Sequence, residues 1–218
     1  MYSLSLIFTS LFFSLLELLS IPPGWQRVPV EPGSFGAYIQ SLPFETTDTT
    51  YFWDGRTGIY HSVAAVHHLT HFTENQQCAD IIMRYYSQYR KEKGLPVTWH
   101  HVNGTVKKWD GSNFNGYMNN IYAYSNTYSL YQYDSHAVTL AEMKAGDILI
   151  IPGFPGHTVI IADVIKKDDR LKIAVVEGFT PAVQPFLYRN NHEVFLEWND
   201  GVWVSGYHFF SENIRRIN

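Results

Sequence analysis

Between Ala145 and Pro181 the chain alternates apolar runs with short polar turns. Ile148–Ile151 is an apolar run that follows the turn dipeptide Gly146-Asp147. Pro152-Gly153-Phe154-Pro155-Gly156 is a cluster of turn formers. Residues 158–164 are β-branched and nearly all apolar, Lys166-Lys167-Asp168-Asp169 is a polar tip, and residues 171–176 form another β-rich run. Such runs bounded by Gly, Pro and Asp predict three strands joined by two turns. Two groups capable of chemistry fall at strand ends: His157 opens the second strand and Glu177 closes the third. Antiparallel pairing across the polar tip makes them neighbours. A histidine beside an orienting carboxylate supplies two members of a nucleophilic triad.

The clearest helical period covers residues 73–93. Ile81, Ile82, Tyr85, Tyr86 and Tyr89 recur on one face, and Gly94 and Pro96 end the run. Arg90, Lys91 and Lys93 crowd the last turn, where the helix dipole favours cations. Two starts fit this helix. Thr73 with Gln76 reads as a capping box and places Cys78 more than a turn inside, whereas an N-cap at Asn75 leaves Cys78 in the first turn. Ser34 caps a short helix, Asn126 opens another, and Asn103-Gly104 marks a hairpin turn between two β-like pieces. Strands are also expected over 25–30, 62–69 and 181–188, while 111–120 reads as a polar Gly/Asn-rich stretch. Together these elements predict an α+β fold: an antiparallel sheet with one long helix packed on it.

The 218 residues suit one domain. Residues 1–20 are apolar apart from small hydroxyl residues and Glu17, a length that suits a secretory signal or an N-terminal anchor better than a full membrane span. Pro22-Pro23-Gly24 is a breaker, so the globular domain is expected over 21–218, exported to the periplasm or cell envelope. The other readings of 1–20 are an amphipathic helix of the domain itself or a misplaced start. The charge balance, 16 basic against 20 acidic residues with no basic block, argues against nucleic acid as a partner. The single cysteine excludes an internal disulfide and any multi-thiolate metal site.

That cysteine, Cys78, lies near the start of the strongest helix. A thiol hydrolase needs a thiolate in a locally positive place, a histidine to take its proton and a group to orient that histidine. Cys78, His157 and Glu177 fit those roles, and Gln76 or Gln77, just ahead of the thiol, could donate to an oxyanion. Each residue also has a structural reading. A cysteine on an amphipathic helix often serves as a small core hydrophobe. Glu177 could pair with Lys172, and Asp80 with Arg84 has the i, i+4 spacing of a helix-face ion pair. Asp147 shapes the turn before its strand, and Asp163 is expected to face solvent. His67 and His71 have the spacing of a helical metal site, but His61, His67, His68 and His71 fall on strand and loop, so neither a metal nor another cofactor is expected.

The cysteine on a helix, Gly146-Asp147-Ile148-Leu149-Ile150, Gly156-His157-Thr158-Val159-Ile160 and Val176-Glu177 together resemble papain-like bacterial cell-wall hydrolases. A broader set of motifs is similar to an exported bacterial family, domain of unknown function 4846. These are Ser34-Phe35-Gly36-Ala37-Tyr38, Gln76-Gln77-Cys78-Ala79-Asp80 with Met83-Arg84, Tyr128-Ser129-Leu130, Gly146-Asp147-Ile148, Pro155-Gly156-His157 and Thr180-Pro181-Ala182. That family brings no established activity. Its usual residue at the position of Glu177 is Gln, and either side chain can orient an imidazole. The papain-like resemblance implies a papain-like site and a thiol-dependent amidase or peptidase of the cell envelope, acting on a peptide or peptidoglycan-type amide in a peptide or glycopeptide substrate. The alternative is a non-catalytic envelope protein that binds through an aromatic groove.

Overall fold

The computed structural model describes residues 12–218. Five helices are named in chain order: α1 (Leu15–Leu18), α2 (Phe35–Ser41), α3 (Cys78–Glu92), α4 (Phe114–Tyr124) and α5 (Thr127–Gln132). The principal strands are β1 (Phe12–Ser14), β2 (Pro43–Thr46), β3 (Val63–Val66), β4 (Ser135–Ala137), β5 (Ile148–Ile151), β6 (His157–Lys167), β7 (Arg170–Glu177), β8 (Phe186–Tyr188), β9 (Val202–Val204), β10 (Tyr207–Phe209) and β11 (Ile214–Ile217). All the pairings are antiparallel, in the order β1-β2-β3-β8-β7-β6-β5-β11-β4, with β9 and β10 forming a separate hairpin. The fold is therefore α+β.

The centre of the sheet explains the apolar runs. β6 pairs with β5 on one side and β7 on the other, and both of its faces are covered. One face carries Ile160 and Ala162 against Ile81, Ile82 and Tyr85 of α3. The other carries Val159 and Ile161 against Val202, Val204 and Phe209 of the β9–β10 hairpin. A strand buried on both faces loses its alternation of apolar and polar positions. The alternation is also broken by a bulge between Ile161 and Asp163. Asp163 is fully buried, not solvent-facing as its position in the strand suggested. Arg27 Nε donates to Asp163 Oδ2 at 2.6 Å and Gln40 Nε2 to Oδ1 at 3.3 Å, so the carboxyl is held within the core edge.

Of the stretch expected to be a signal or anchor, residues 1–11 lie outside the described residues. The remainder is built into the domain. β1 pairs with β2, Leu15 and Leu19 are buried, and Arg27 Nη2 donates to the carbonyl of Leu19 at 2.9 Å. No helix among the described residues is long and apolar enough to cross a membrane. A chain starting at Ile21 is expected to be less stable than one starting at Phe12 by roughly 3–6 kcal/mol, the worth of burying two leucines. Urea unfolding of the two chains checks this. Equal midpoints would mean that residues 12–20 contribute nothing to the fold.

Candidate functional site

The helix that carries the cysteine begins later than its periodicity suggests. Residues 73–76 form a turn, Gln77 is the N-cap of α3, and Cys78 is its first helical residue. Neither Thr73 nor Asn75 caps it. Asp80, three residues after the cap, closes the end by accepting from the backbone N–H of Gln77 at 3.1 Å. The first N–H groups of a helix have no intrahelical acceptor, and the dipole there favours negative charge. Cys78 is half-buried at that end.

The sheet supplies the other two groups. His157 is the first residue of β6 and Glu177 the last of β7, and pairing across the tip brings them together as the strand pattern required. His157 Nε2 lies 2.8 Å from Glu177 Oε2, and both residues are almost wholly buried. With Nε2 engaged by the carboxylate, Nδ1 is the ring nitrogen left for a second partner. Burial alone would lower the pKa of the imidazole. The hydrogen bonds and charges of Cys78 and Glu177 outweigh that and raise it to about 9. The ring is fixed on its faces as well. Tyr207 stacks on it at 4.6 Å, and Phe179 meets it edge-on at 5.4 Å.

Close approach of helix and strand end is permitted by Gly178. A Cβ at that position would come within 2.7 Å of Ile81 Cγ1 and 3.5 Å of the Gln77 carbonyl. The N-terminus of α3 therefore packs directly on the residue after Glu177. Cys78 arrives from the helical layer and His157 faces the hairpin layer, so the site forms at the end of the sheet where the two layers meet.

The two glutamines ahead of the cysteine part company. Gln77 stays at the site, with its Oε1 accepting from Thr180 Oγ1 at 2.8 Å. Gln76 is removed from it. Its Nε2 donates to the His71 carbonyl at 3.0 Å, and its Oε1 accepts from Arg84 Nη1 at 2.5 Å. Gln76 and Arg84 instead line a cleft of about 530 Å³ between α3 and α4. The Asp80–Arg84 ion pair does not form. Arg84 bonds Gln76 and the carbonyls of Thr70 and His71, while Asp80 turns back to the helix start, and burial pushes its carboxyl well up. Oδ1 of Asp80 has no hydrogen-bond partner among the described residues.

Glu177 does not pair with Lys172. Its second oxygen, Oε1, accepts from Ser205 Oγ at 2.5 Å. Ser205 sits in the tight turn between β9 and β10 with φ +47°. Sequence reasoning missed it, because a serine before glycine in a hairpin turn carries no chemical signal of its own. The histidines of the 61–71 region do not converge. His67 Nδ1 lies 2.7 Å from the Tyr85 hydroxyl, and burial lowers its pKa to about 4. His68 Nε2 lies 2.7 Å from Glu45, and His61 and His71 are exposed. No group of three metal-binding side chains occurs among the described residues. Asp147 does shape its turn, accepting from Lys144 N at 3.0 Å, and it also takes a two-pronged bond from Arg216.

The molecule is thus an α+β protein in which a lone cysteine at a helix N-terminus meets a buried histidine–glutamate pair at the end of an antiparallel sheet. Residues 90–216 match the family described as domain of unknown function 4846, more than half of the chain. The protein belongs to that family. His157, Glu177 and Ser205 lie inside the matched stretch, whereas Gln77 and Cys78 precede it. Comparison with curated proteins and with solved structures gives no match.

Proposed function

We propose that the protein is a thiol-dependent amidase or peptidase with a papain-like division of labour. Cys78 gives its proton to His157 Nδ1, and the sulfur attacks the amide carbonyl. The S–C bond forms, the C–N bond breaks, and the leaving amine takes the proton back from the imidazolium. Water, deprotonated by the neutral ring, then attacks the thioester and releases the acid and the free thiol. Glu177 holds the ring through Nε2 and stabilises its charged form, and Ser205 and Tyr207 hold Glu177 and the ring in turn. Free N–H groups in the first turn of α3, with the side-chain amide of Gln77 beside them, are the donors for the oxyanion. The observation that carries this reading is the position of Cys78 as the first residue of α3, beside a histidine whose Nε2 is bonded to a buried carboxylate. No step requires a cofactor.

A peptide or peptidoglycan-type amide is the substrate class we start from, and delivery to the cell envelope through residues 1–20, retained as an anchor because residues 12–20 pack into the domain, belongs to the same proposal. Sequencing the N-terminus of the chain recovered from a bacterial host tests that delivery. The thiol itself is tested by alkylation. Iodoacetamide is expected to label Cys78 at pH 7 at least about tenfold faster than free cysteine, and His157→Ala to remove the difference. A rate equal to that of free cysteine in both proteins would sink the hydrolase and leave a binding domain.

A further inference from the structure

We propose that the pocket between the β9–β10 turn, the 179–183 segment and the residue 49–63 region is the substrate side-chain subsite, and that it takes an aromatic or large aliphatic residue. The proposal rests on the hydrolase reading for its chemistry, but its evidence is separate. The pocket has a volume of about 440 Å³, within the range of small-ligand sites. Its walls are Phe52, Tyr60, Val63, Phe179, Val183 and Phe186, completed by proline and hydroxyl residues, and no charged side chain lines it.

Three of its lining residues also touch the candidate site. Phe179 packs its ring edge against His157 at 5.4 Å. Thr180 donates to Gln77, the residue before Cys78. Ser205 donates to Glu177. The pocket wall therefore shares residues with the supports of the imidazole, of Glu177 and of the N-cap before the thiol. On this proposal the residue seated in it is one of the two that precede the bond presented to Cys78.

The chemistry of the lining selects the occupant. A carboxylate or ammonium entering an uncharged pocket gives up its water and finds no counter-charge. Serine and threonine hydroxyls could satisfy a neutral polar group, but they cannot offset an ion. An apolar side chain gains from the same burial, and aromatic walls favour an aromatic guest. The rim continues the theme. Trp53, Ile59 and Tyr60, in and beside the hairpin of Thr49–Tyr51 and Thr57–Ile59, expose large apolar side chains. This lining does not suit the charged side chain of a peptidoglycan stem. It narrows the substrate to peptides with a bulky apolar residue near the scissile amide.

The test uses peptide chloromethyl ketones on the full chain, with Phe, Leu, Gly, Asp or Lys at either of the two positions before the reactive carbon. Alkylation of Cys78 is followed by intact-mass spectrometry and normalised to the iodoacetamide rate. At one of the two positions, Phe and Leu are expected to react at least about tenfold faster than Gly, Asp and Lys. Ser62→Trp, which fills the pocket from a half-buried lining position, is expected to bring the Phe-to-Gly ratio towards one. The wild-type profile decides the matter even if that variant fails to fold. A flat profile at both positions, a preference for Asp or Lys, or no labelling of Cys78 by any peptide reagent overturns the subsite. The two readings fail separately. Fast iodoacetamide labelling with a flat peptide profile removes the subsite alone. A retained Phe preference on a thiol no faster than free cysteine removes the hydrolase alone.

Discussion

Replacing Cys78 by Ala is expected to lower the hydrolysis of a susceptible peptide amide by about 10⁴-fold or more, and His157→Ala by a similar factor. In the proposed mechanism the residues act as one unit, because the sulfur passes its proton to the ring. The double variant is therefore expected to be no worse than either single one. Peptides carrying Phe or Leu near the scissile bond, followed by mass spectrometry, give the rates. The thermal midpoint is the control. Cys78 is only half-buried, so losing its sulfur should cost the fold little, whereas the buried ring of His157 packs on Tyr207 and Phe179 and its loss should cost more. Unchanged hydrolysis in Cys78→Ala would show that the sulfur makes no bond to substrate, whatever its position.

How much of this was legible in the residues can be read from particular elements. The three central strands were, because their runs are long, β-branched and bounded by Gly, Pro and polar tips. The antiparallel course of the two longest strands brings the start of one to the end of the other, and His157 meets Glu177 there. The start of α3 was not legible. Thr73 and Asn75 both look like caps, and the choice of Gln77 depends on Asp80 reaching back to its N–H. Helix α4 was missed because Gly116 and three asparagines hide its period, although Phe114, Tyr117, Met118, Ile121 and Tyr122 follow the spacing of one face. Its start was marked by Asn113, whose side chain accepts from the N–H of Gly116. The two misread charges, Asp163 and Arg84, share one cause. Each is paired with groups distant in the chain or on a loop, and spacing within one element says nothing about such partners.

The same three-way contact at His157 should set a pH dependence of stability. The ring titrates near 9 in the folded protein against 6.5 ordinarily. A raised histidine pKa means that the folded state binds the proton more tightly than the unfolded chain does. The resulting stability is complete below pH 6.5 and is lost as pH rises through 9. Part of that raise comes from Cys78, so the ring and the thiol titrate as a pair, and the interval sets an upper bound of about 3 kcal/mol. Urea unfolding at pH 6, 7.5 and 9.5 is expected to show it, with the highest midpoint at pH 6. Glu177→Gln keeps the shape of the side chain and an acceptor for Nε2, but removes its charge. That variant is expected to lose stability mainly at pH 6 and to approach the wild type at pH 9.5, so that its profile is flatter. The titrating groups outside the site are common to both proteins, so the difference between the two profiles isolates the Cys78–His157–Glu177 contact as a unit. Parallel profiles would mean that the folded imidazole is neutral throughout, and that Glu177 orients it without stabilising a charge. The cysteine would then face a base but no imidazolium, and the proton transfer on which the proposed chemistry depends would lack its electrostatic support.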